Sequence, residues 1–524
     1  MQTPSIFNDV IGPVMRGPSS SHTAASVRIA RVAAELLGSV PVKVLYEFDP
    51  KGALATTYDG QGSDMGLAGG FMGYTTDDDR LPDALKNARE RGMQIDMSVV
   101  SYPNNHPNTY KMTLWNESGE ELHVTAISTG GGIFEIIEIE KNKVSVFGDY
   151  YELYLFVNNW SDKQLTDVKN LCDAKNMDEV QWSSQDGSFG IVNVKSVKPF
   201  DDDFVADISK LIDVVRVKKS SPVLPVRSRK DGKVPFLTAA EMDEYARKNS
   251  LNHIWELAVA YEAERGGISE DKVFQMMKCI VERIKASVER GFDGTEYKDR
   301  ILDCQMNKFS KAERTGKLFP SALINSVVKY TISMMEVKSS MGVIVAAPTA
   351  GACAVLPGAI LGTATKLGKS IDECTKAMLA AGIIGVLIAY NATFSAEVGG
   401  CQAECGSGSG MAAAGIVELM GGDYKEGMAA SSMALQNIMG MVCDPVANRV
   451  EVPCMGKNVM GAVNAISSAT MALAGVDSVI PLDEVISTLS TVGHMIPFEL
   501  RCTGYGGLSI TPTARKIEKR LAHS

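Results

Sequence analysis

YELYLFV (151–157), DKQLTDVKNLC (162–172), VQWSS (180–184), GIVNVKS (190–196), FVADISKLI (204–212) and VVRVKK (214–219) follow one another in the middle of this chain. The first, third, fourth and last alternate as strands do, and the other two carry the 3.6-residue period of helices. Strand, helix, two strands, helix and strand is the split arrangement of a ferredoxin-like domain, so a small domain is predicted over residues 151–218. Upstream, residues 1–150 mix one helix with strands. Ala24 to Leu37 has apolar residues at helical spacing after a Ser/Thr cluster at 19–23, whose hydroxyls are expected to cap the first N–H groups. VKVLYEF (42–48), MTLWN (112–116), HVTAIS (123–128) and KNKVSVFG (141–148) read as strands. Downstream, residues 219–235 are polar and basic with three Pro, which suits a linker. From residue 236 to 524 the chain is mainly helical, with TAAEMDEYARK, IWELAVAYEAE, EDKVFQMMKCIVERIKASVERG and SALINSVVKYTISMMEV as the clearest helices. The expected fold is multidomain α+β: an α+β domain over 1–150, a ferredoxin-like domain over 151–218, and a helical domain over 236–524.

The composition agrees with a packed protein. A chain of 524 residues exceeds one small core, and 45% hydrophobic with 22% charged residues excludes a predominantly disordered or collagenous chain. With 52 basic against 62 acidic residues the net charge is -10, which opposes binding to a phosphate backbone, so no nucleic-acid partner is expected. Met341–Thr365 and Lys376–Ala396 are long and nearly uncharged. Pro348, Pro357 and several Gly interrupt the first, and neither has basic flanks or an aromatic belt, so both are read as buried segments and no membrane association is expected. The N-terminal residues show no secretory pattern, which makes the cytoplasm the expected compartment.

Ten Cys in a chain of this length form no dense disulfide framework. Cys401 stands in GGCQAECG, and Cys443 and Cys454 in MVCDPVANRVEVPCMG. Three thiolates can hold three corners of an iron-sulfur cluster, and the lack of clustered His argues against a Cys/His zinc site. Small buried hydrophobes account for the same residues, and on spacing alone both readings stand. No nucleotide fingerprint is present, since GGG at 130–132 lacks the GxGxxG context.

Taken together, the motifs resemble one family. PTAGACAVLPG (348–358), EVGGCQAECGSGSGMAAAG (397–415), CDPVANRVEVPC (443–454) and NVMGAVNA (458–465) are similar to the alpha region of iron-sulfur-dependent L-serine dehydratases. GPSSSHTAAS (17–26), GQGSD (60–64), HPNT (106–109) and STGGG (128–132) resemble the beta region of the same family. The resemblance implies a single-chain arrangement, with a beta region first and a catalytic alpha region last. It implies that Cys401, Cys443 and Cys454 are the protein ligands of a [4Fe-4S] cluster whose fourth iron meets L-serine. The reaction implied is β-elimination, with iron as Lewis acid and a base at the α-proton, giving pyruvate and ammonia.

The resemblance also assigns Ser19, Ser20, Ser21 and Thr23, with Thr349, Ala350 and Gly351, to the substrate, and makes His22 and Asp64 the candidate acid/base groups. Without it, the Ser/Thr cluster reads as a helix cap, 348–352 as a rigid turn, Asp64 as an exposed turn carboxylate, and His106 and Asn108 as turn builders. This chain departs from the pattern in two places. Gln61 stands where the family commonly has His, which removes an acid/base group. Some relatives close the open iron with a C-terminal Cys, whereas this chain ends TPTARKIEKRLAHS, with Cys502 the nearest substitute. A homo-oligomer is expected. An iron-sulfur L-cysteine desulfidase is the nearest alternative; the other is an amino-acid-responsive regulator without turnover, since the order over 151–218 is also that of an ACT-like module.

Overall fold

In the computed structural model, which describes residues 3–103, 105–184, 187–230 and 232–521, the N-terminal region is built on a mixed sheet. After a two-residue strand β1 (Val14–Met15) come β2 (Lys43–Phe48), β3 (Gln94–Val99), β4 (Thr109–Trp115), β5 (Glu121–Gly130), β6 (Ile133–Ile139) and β7 (Asn142–Val146). The last six form one sheet in the order β3-β2-β4-β5-β6-β7. β3 runs parallel to β2, and every other pairing is antiparallel. Alternation puts Val44, Tyr46 and Phe48 of β2 with Leu122, Val124 and Ala126 of β5 on one face, against Val27, Ala30 and Leu36 of the helix Ala25–Leu37. β2, β4, β5 and β7 fall where strands are expected; β3 and β6 are additional.

Two local expectations are corrected here. The Ser/Thr cluster does not cap the helix Ala25–Leu37: residues Ser20–Ala24 form a wide π-type turn that runs straight into it, and Ser19 makes no side-chain cap bond. The hydroxyls are thereby released to face other partners. The GQGSD stretch is not a plain turn either, because Ser63–Phe71 is helical despite poor helix propensity. Its glycines explain why. A Cβ on Gly66 would lie 2.5 Å from the Thr23 carbonyl, and one on Gly70 2.4 Å from that of Val27, so only glycine lets the two helices touch backbone to backbone.

β8 (Tyr151–Asn158), β9 (Glu179–Ser184), β10 (Phe189–Ser196) and β11 (Val214–Ser220) form the second sheet, in the order β11-β8-β10-β9 and antiparallel throughout. With the helices Asp162–Ala174 and Asp202–Ser209 this is the split βαββαβ topology of the ferredoxin-like fold. Leu153, Leu155 and Val157 pack under its helices, whereas Tyr154 and Phe156 join the core of the first sheet. β8 departs from the alternation expected of it: it is an almost unbroken buried apolar run, because both of its faces are covered.

One buried acid breaks that run. Burial raises Glu152 to about 8, against the pull of Lys195 and a hydrogen bond from Asn193. The folded chain therefore keeps a proton that the unfolded chain releases near 4.5, so stability is full below that pH and falls as pH rises toward 8. Glu152→Gln keeps the acceptor for Asn193 and removes the charge. It is expected to raise the thermal midpoint above pH 8 and to leave it nearly unchanged below pH 4.5; equal midpoints at the alkaline end would contradict the assignment.

The linker is irregular but held in place: Asn8 donates from Nδ2 to the Val226 carbonyl at 2.7 Å and accepts from the Val226 N–H at 3.0 Å. The helical region beyond it contains β12 (Ile344–Val345), which pairs antiparallel with β1. Ile6, Phe7, Val10, Ile11 and Met15 belong to the helical core, so the first residues of the chain tie the two ends together. At the centre runs the helix Ile371–Asn391, buried from Ala377 to Ile388. Of the two long apolar stretches, one is mostly this helix and the other is broken into β12, a turn and short helical segments. Among the described residues, no helix is long and apolar enough to cross a membrane.

Candidate active site

Both ends of the chain converge on one closed pocket. The N-terminal region contributes Ser19, Ser21 and Gln61, the helical region Gly351, Ala396, Glu397, Glu404, Cys443, Pro445, Val450, Cys454 and Cys502. Its free volume is about 10 Å³, room for roughly one water molecule.

Five buried cysteines gather on one side. Cys401 precedes a wide turn, Gln402–Gly406, that leads into the helix Ser407–Leu419, and Cys454 opens the helix Cys454–Leu473. Cys443 and Cys502 are joined by backbone, the Cys502 N–H donating to the Cys443 carbonyl at 2.8 Å. Cys502 takes a left-handed φ of 62°, unusual for a residue with a side chain. Gln61 donates from Nε2 to Cys502 Sγ at 3.5 Å, so its amide faces a thiol. Hydrogen bonds from Cys405 and Cys443 hold the Cys401 thiol well below its ordinary pKa, and the same bonds push Cys405 and Cys443 up. Burial would lower Lys457, but Cys401 and Cys443 push it up, and its Nζ donates to the Val442 carbonyl at 2.6 Å and to Asp444 at 2.9 Å. On the other side the buried Lys338 donates to the Val450 carbonyl.

This donor set suits a metal cluster. All ten cysteines are free thiols, and Sγ of Cys401, Sγ of Cys443 and a carboxylate oxygen of Glu404 lie within 4.8 Å of one another. Cys454 lines the same pocket. Soft sulfur donors, buried and flanked by two lysines that offset thiolate charge, are the chemistry an iron-sulfur group requires.

The serine cluster forms the opposite wall. His22 is fully buried; its Nε2 lies 2.8 Å from Thr57 Oγ1, and its Nδ1 lies 3.0 Å from Ser21 Oγ and 3.2 Å from Ser19 Oγ. Thr57 donates its own hydroxyl to the Ala53 carbonyl at 2.8 Å, so it accepts from His22, which fixes the Nε2–H tautomer and leaves the Nδ1 lone pair facing the two serines. Burial lowers the His22 pKa, against the pull of Glu397, whose Oε1 is 3.7 Å from Nδ1. Glu397 accepts from Ser21 Oγ at 3.1 Å and from Ser395 Oγ at 2.7 Å.

The 348–352 turn closes the pocket from a third side. The Ala350 N–H donates to Ser20 Oγ at 3.1 Å, across 330 residues of sequence, and Thr349 Oγ1 donates to Glu404 at 2.7 Å. A Cβ on Gly351 would stand 2.8 Å from Glu404 Oε1. Burial raises Glu404 to about 8, with the charge of Cys401 adding to it. Asn458 ties the turn to the cysteines, donating to the Gly351 carbonyl at 2.7 Å and the Cys454 carbonyl at 2.8 Å.

Of the residues singled out in the sequence, Ser19, Ser20, Ser21, His22, Thr349, Ala350, Gly351, Cys401, Cys443 and Cys454 are brought together. Two are not. Thr23 donates to the Gln61 carbonyl at 2.9 Å and packs between Gly17 and Gly62, a structural clamp. Asp64 lies in a neighbouring cleft of about 300 Å³ with Tyr297, Arg449 and Glu451, where burial raises it to about 7. Glu397 and Glu404 escaped the sequence reading, although both lie in the quoted EVGGCQAECG stretch; carboxylates so close to cysteines were the signal. Asn108, read as a turn builder, is fully buried with neither side-chain amide atom partnered.

The chain is similar to known proteins. The family described as Serine dehydratase alpha chain matches residues 249–509. The probable L-serine dehydratase alpha chain of Bacillus subtilis is 39% identical over 286 residues, which is 55% of this chain and 95% of that protein. The probable L-serine dehydratase beta chain of the same organism is 36% identical over 223 residues, 42% of this chain and 99% of that protein. L-serine dehydratase TdcG of Escherichia coli is 26% identical over 521 residues, 94% of this chain and 96% of that protein. One polypeptide thus answers to both an alpha and a beta chain, and the chain belongs to the serine dehydratase family.

Proposed function

We propose that the pocket is the active site of an L-serine ammonia-lyase, which converts L-serine to pyruvate and ammonia with a [4Fe-4S] cluster on Cys401, Cys443 and Cys454. The meeting of the cysteines with Ser19, Ser21 and the 348–352 turn carries this reading, because elimination needs a metal at the hydroxyl and proton acceptors at the α-carbon in one place. When bound, the cluster supplies a Lewis-acidic iron that draws charge from the β-hydroxyl. The chain's own groups do the rest. Ser19, on the His22 lone pair, takes the α-proton while passing its own proton to Nδ1, and Ser21, 3.0 Å from the same nitrogen, keeps its hydroxyl proton on Glu397. The imidazolium so formed keeps its Nε2–H on Thr57 and gains Glu397 as counter-charge. Thr349 and Ser20 hold the turn that places Gly351 against the substrate.

We read residues 151–218 as an ACT-like regulatory module on its topology, the assembly as a homo-oligomer and the compartment as the reducing cytoplasm, where free thiols persist. Anaerobically reconstituted protein is expected to hold about four iron and four sulfide per chain and to release pyruvate and ammonia from L-serine without pyridoxal phosphate. D-serine should react poorly, since inversion at the α-carbon separates the proton from Ser19. Full activity after demetallation would overturn the mechanism. Sulfide release from L-cysteine with L-serine untouched would make the protein a desulfidase.

A further inference from the structure

We propose that Glu397 is the residue that recognises the substrate's ammonium group; this rests on the reading of the pocket as an L-serine site. Two carboxylates line the pocket, and they face different ways. Glu404 is tied to Thr349 and lies against the thiols of Cys401 and Cys443. Glu397 is turned to the serine wall, with its side chain only 3% exposed. A carboxylate offers about four acceptor positions, and hydroxyl donors from Ser21 and Ser395 use two of them. The His22 nitrogen nearest to it carries a lone pair in the tautomer fixed by Thr57 and donates nothing.

Among the described residues, the lining of the pocket lacks a cation, Lys338 and Lys457 standing behind the cysteines. No Lys or Arg lines it, and the only ion-pair partner of Glu397 among the described residues is His22, whose charge burial disfavours. A buried carboxylate without a fixed counter-charge is costly, and the cost is lifted when a ligand brings the charge. A primary ammonium supplies one positive charge and three N–H donors, more than enough for the two unused acceptor positions. Access agrees with this. Glu397 also lines an open cleft of about 690 Å³ shared with Lys51, His106 and Arg501, and it is the one residue common to the cleft and the closed pocket. Glu397 thus stands at the boundary between the cleft and the pocket.

The test compares L-alanine with L-lactate, which differ in carrying an ammonium or a hydroxyl on the same carbon, by calorimetric titration of the anaerobic, cluster-loaded protein. The wild-type protein is expected to prefer L-alanine, and Glu397→Gln to shrink that preference by about 10- to 100-fold, the worth of a charged hydrogen bond. Glu397→Asp, which keeps the charge on a shorter arm, is expected to retain part of it. Loss of affinity for both ligands by the same factor, or an unchanged ratio in both variants, overturns the assignment and leaves Glu397 a support for Ser21. Failure of the wild-type protein to convert L-serine removes the functional reading itself, whereas normal wild-type turnover with an unmoved ratio in the variants removes only this inference. If the glutamine variant does not fold, the aspartate variant decides alone: a preference equal to the wild type's overturns the proposal.

Discussion

Replacing Cys401 by alanine is expected to leave a folded protein that holds no cluster and has lost turnover by about a thousandfold or more, the loss of several kcal/mol of metal assistance. Cys401 is the thiol to which Cys405 and Cys443 both donate, the one already inclined to be a thiolate. The loop that carries it does not depend on its sulfur. The adjacent Gln402 donates from Nε2 to the Leu489 carbonyl at 2.8 Å and accepts from the Gly440 N–H at 2.8 Å. Truncating the thiol removes a ligand from a scaffold fixed by other bonds. Iron and sulfide per chain, with the thermal midpoint of the unloaded protein, separate the effects: iron should fall while the midpoint holds. Cys443→Ala and Cys454→Ala should behave alike. Cys172, in the core of the middle domain, and Cys279, exposed, are the controls. If Cys172→Ala and Cys279→Ala lost as much iron as these three, the thiols would be core filling.

The contrast between these cysteines shows how far the sequence could be read. The order of strands and helices between residues 151 and 220 was legible, because alternating strands and amphipathic helices leave periods that need no tertiary information, although the second helix, Asp202–Ser209, begins and ends earlier than its sequence pattern. The long helices after residue 236 were legible for the same reason. The edge strand β3 was not: QIDMSV is half exposed, and its register comes from pairing with β2. Nor was the helix Ser63–Phe71, whose glycines argue against a helix until the backbone contacts at Gly66 and Gly70 are seen. In the site, the cysteines and serines stood out through resemblance, yet the roles of Ser19 to Thr23 did not. A local rule assigns those hydroxyls to a cap, and a wide turn at Ser20–Ala24 overrides it by sending the side chains to His22, Glu397 and Ala350. The direction of a side chain is set by partners hundreds of residues away, which is why Asp64, singled out in the sequence, lies in a different cleft, whereas Glu397, not singled out, lines the pocket.

Replacing His22 by asparagine is expected to lower kcat by about 10²- to 10⁴-fold, the usual worth of a positioned acid/base group, with a much smaller effect on KM. His22 does not line the pocket; it acts through Ser19 and Ser21, and its own position is set by Thr57. That chain of contacts makes a graded prediction. Thr57→Val removes the acceptor that fixes the tautomer and is expected to cost less than the loss of the ring, since a fraction of the imidazole still presents Nδ1 as a lone pair. A purely structural role for His22 would lower turnover at every pH alike. A proton-accepting role would not, because the ring must be neutral to work. Burial lowers the His22 pKa from its ordinary 6.5, so the ring is protonated, and activity lost, only as pH falls below that value. The wild-type profile of kcat/KM should therefore keep its plateau down through pH 6.5, with an acid limb that disappears in His22→Asn. An acid limb unchanged in the variant would assign the proton to another group, and His22 would then serve only to hold the serines in place.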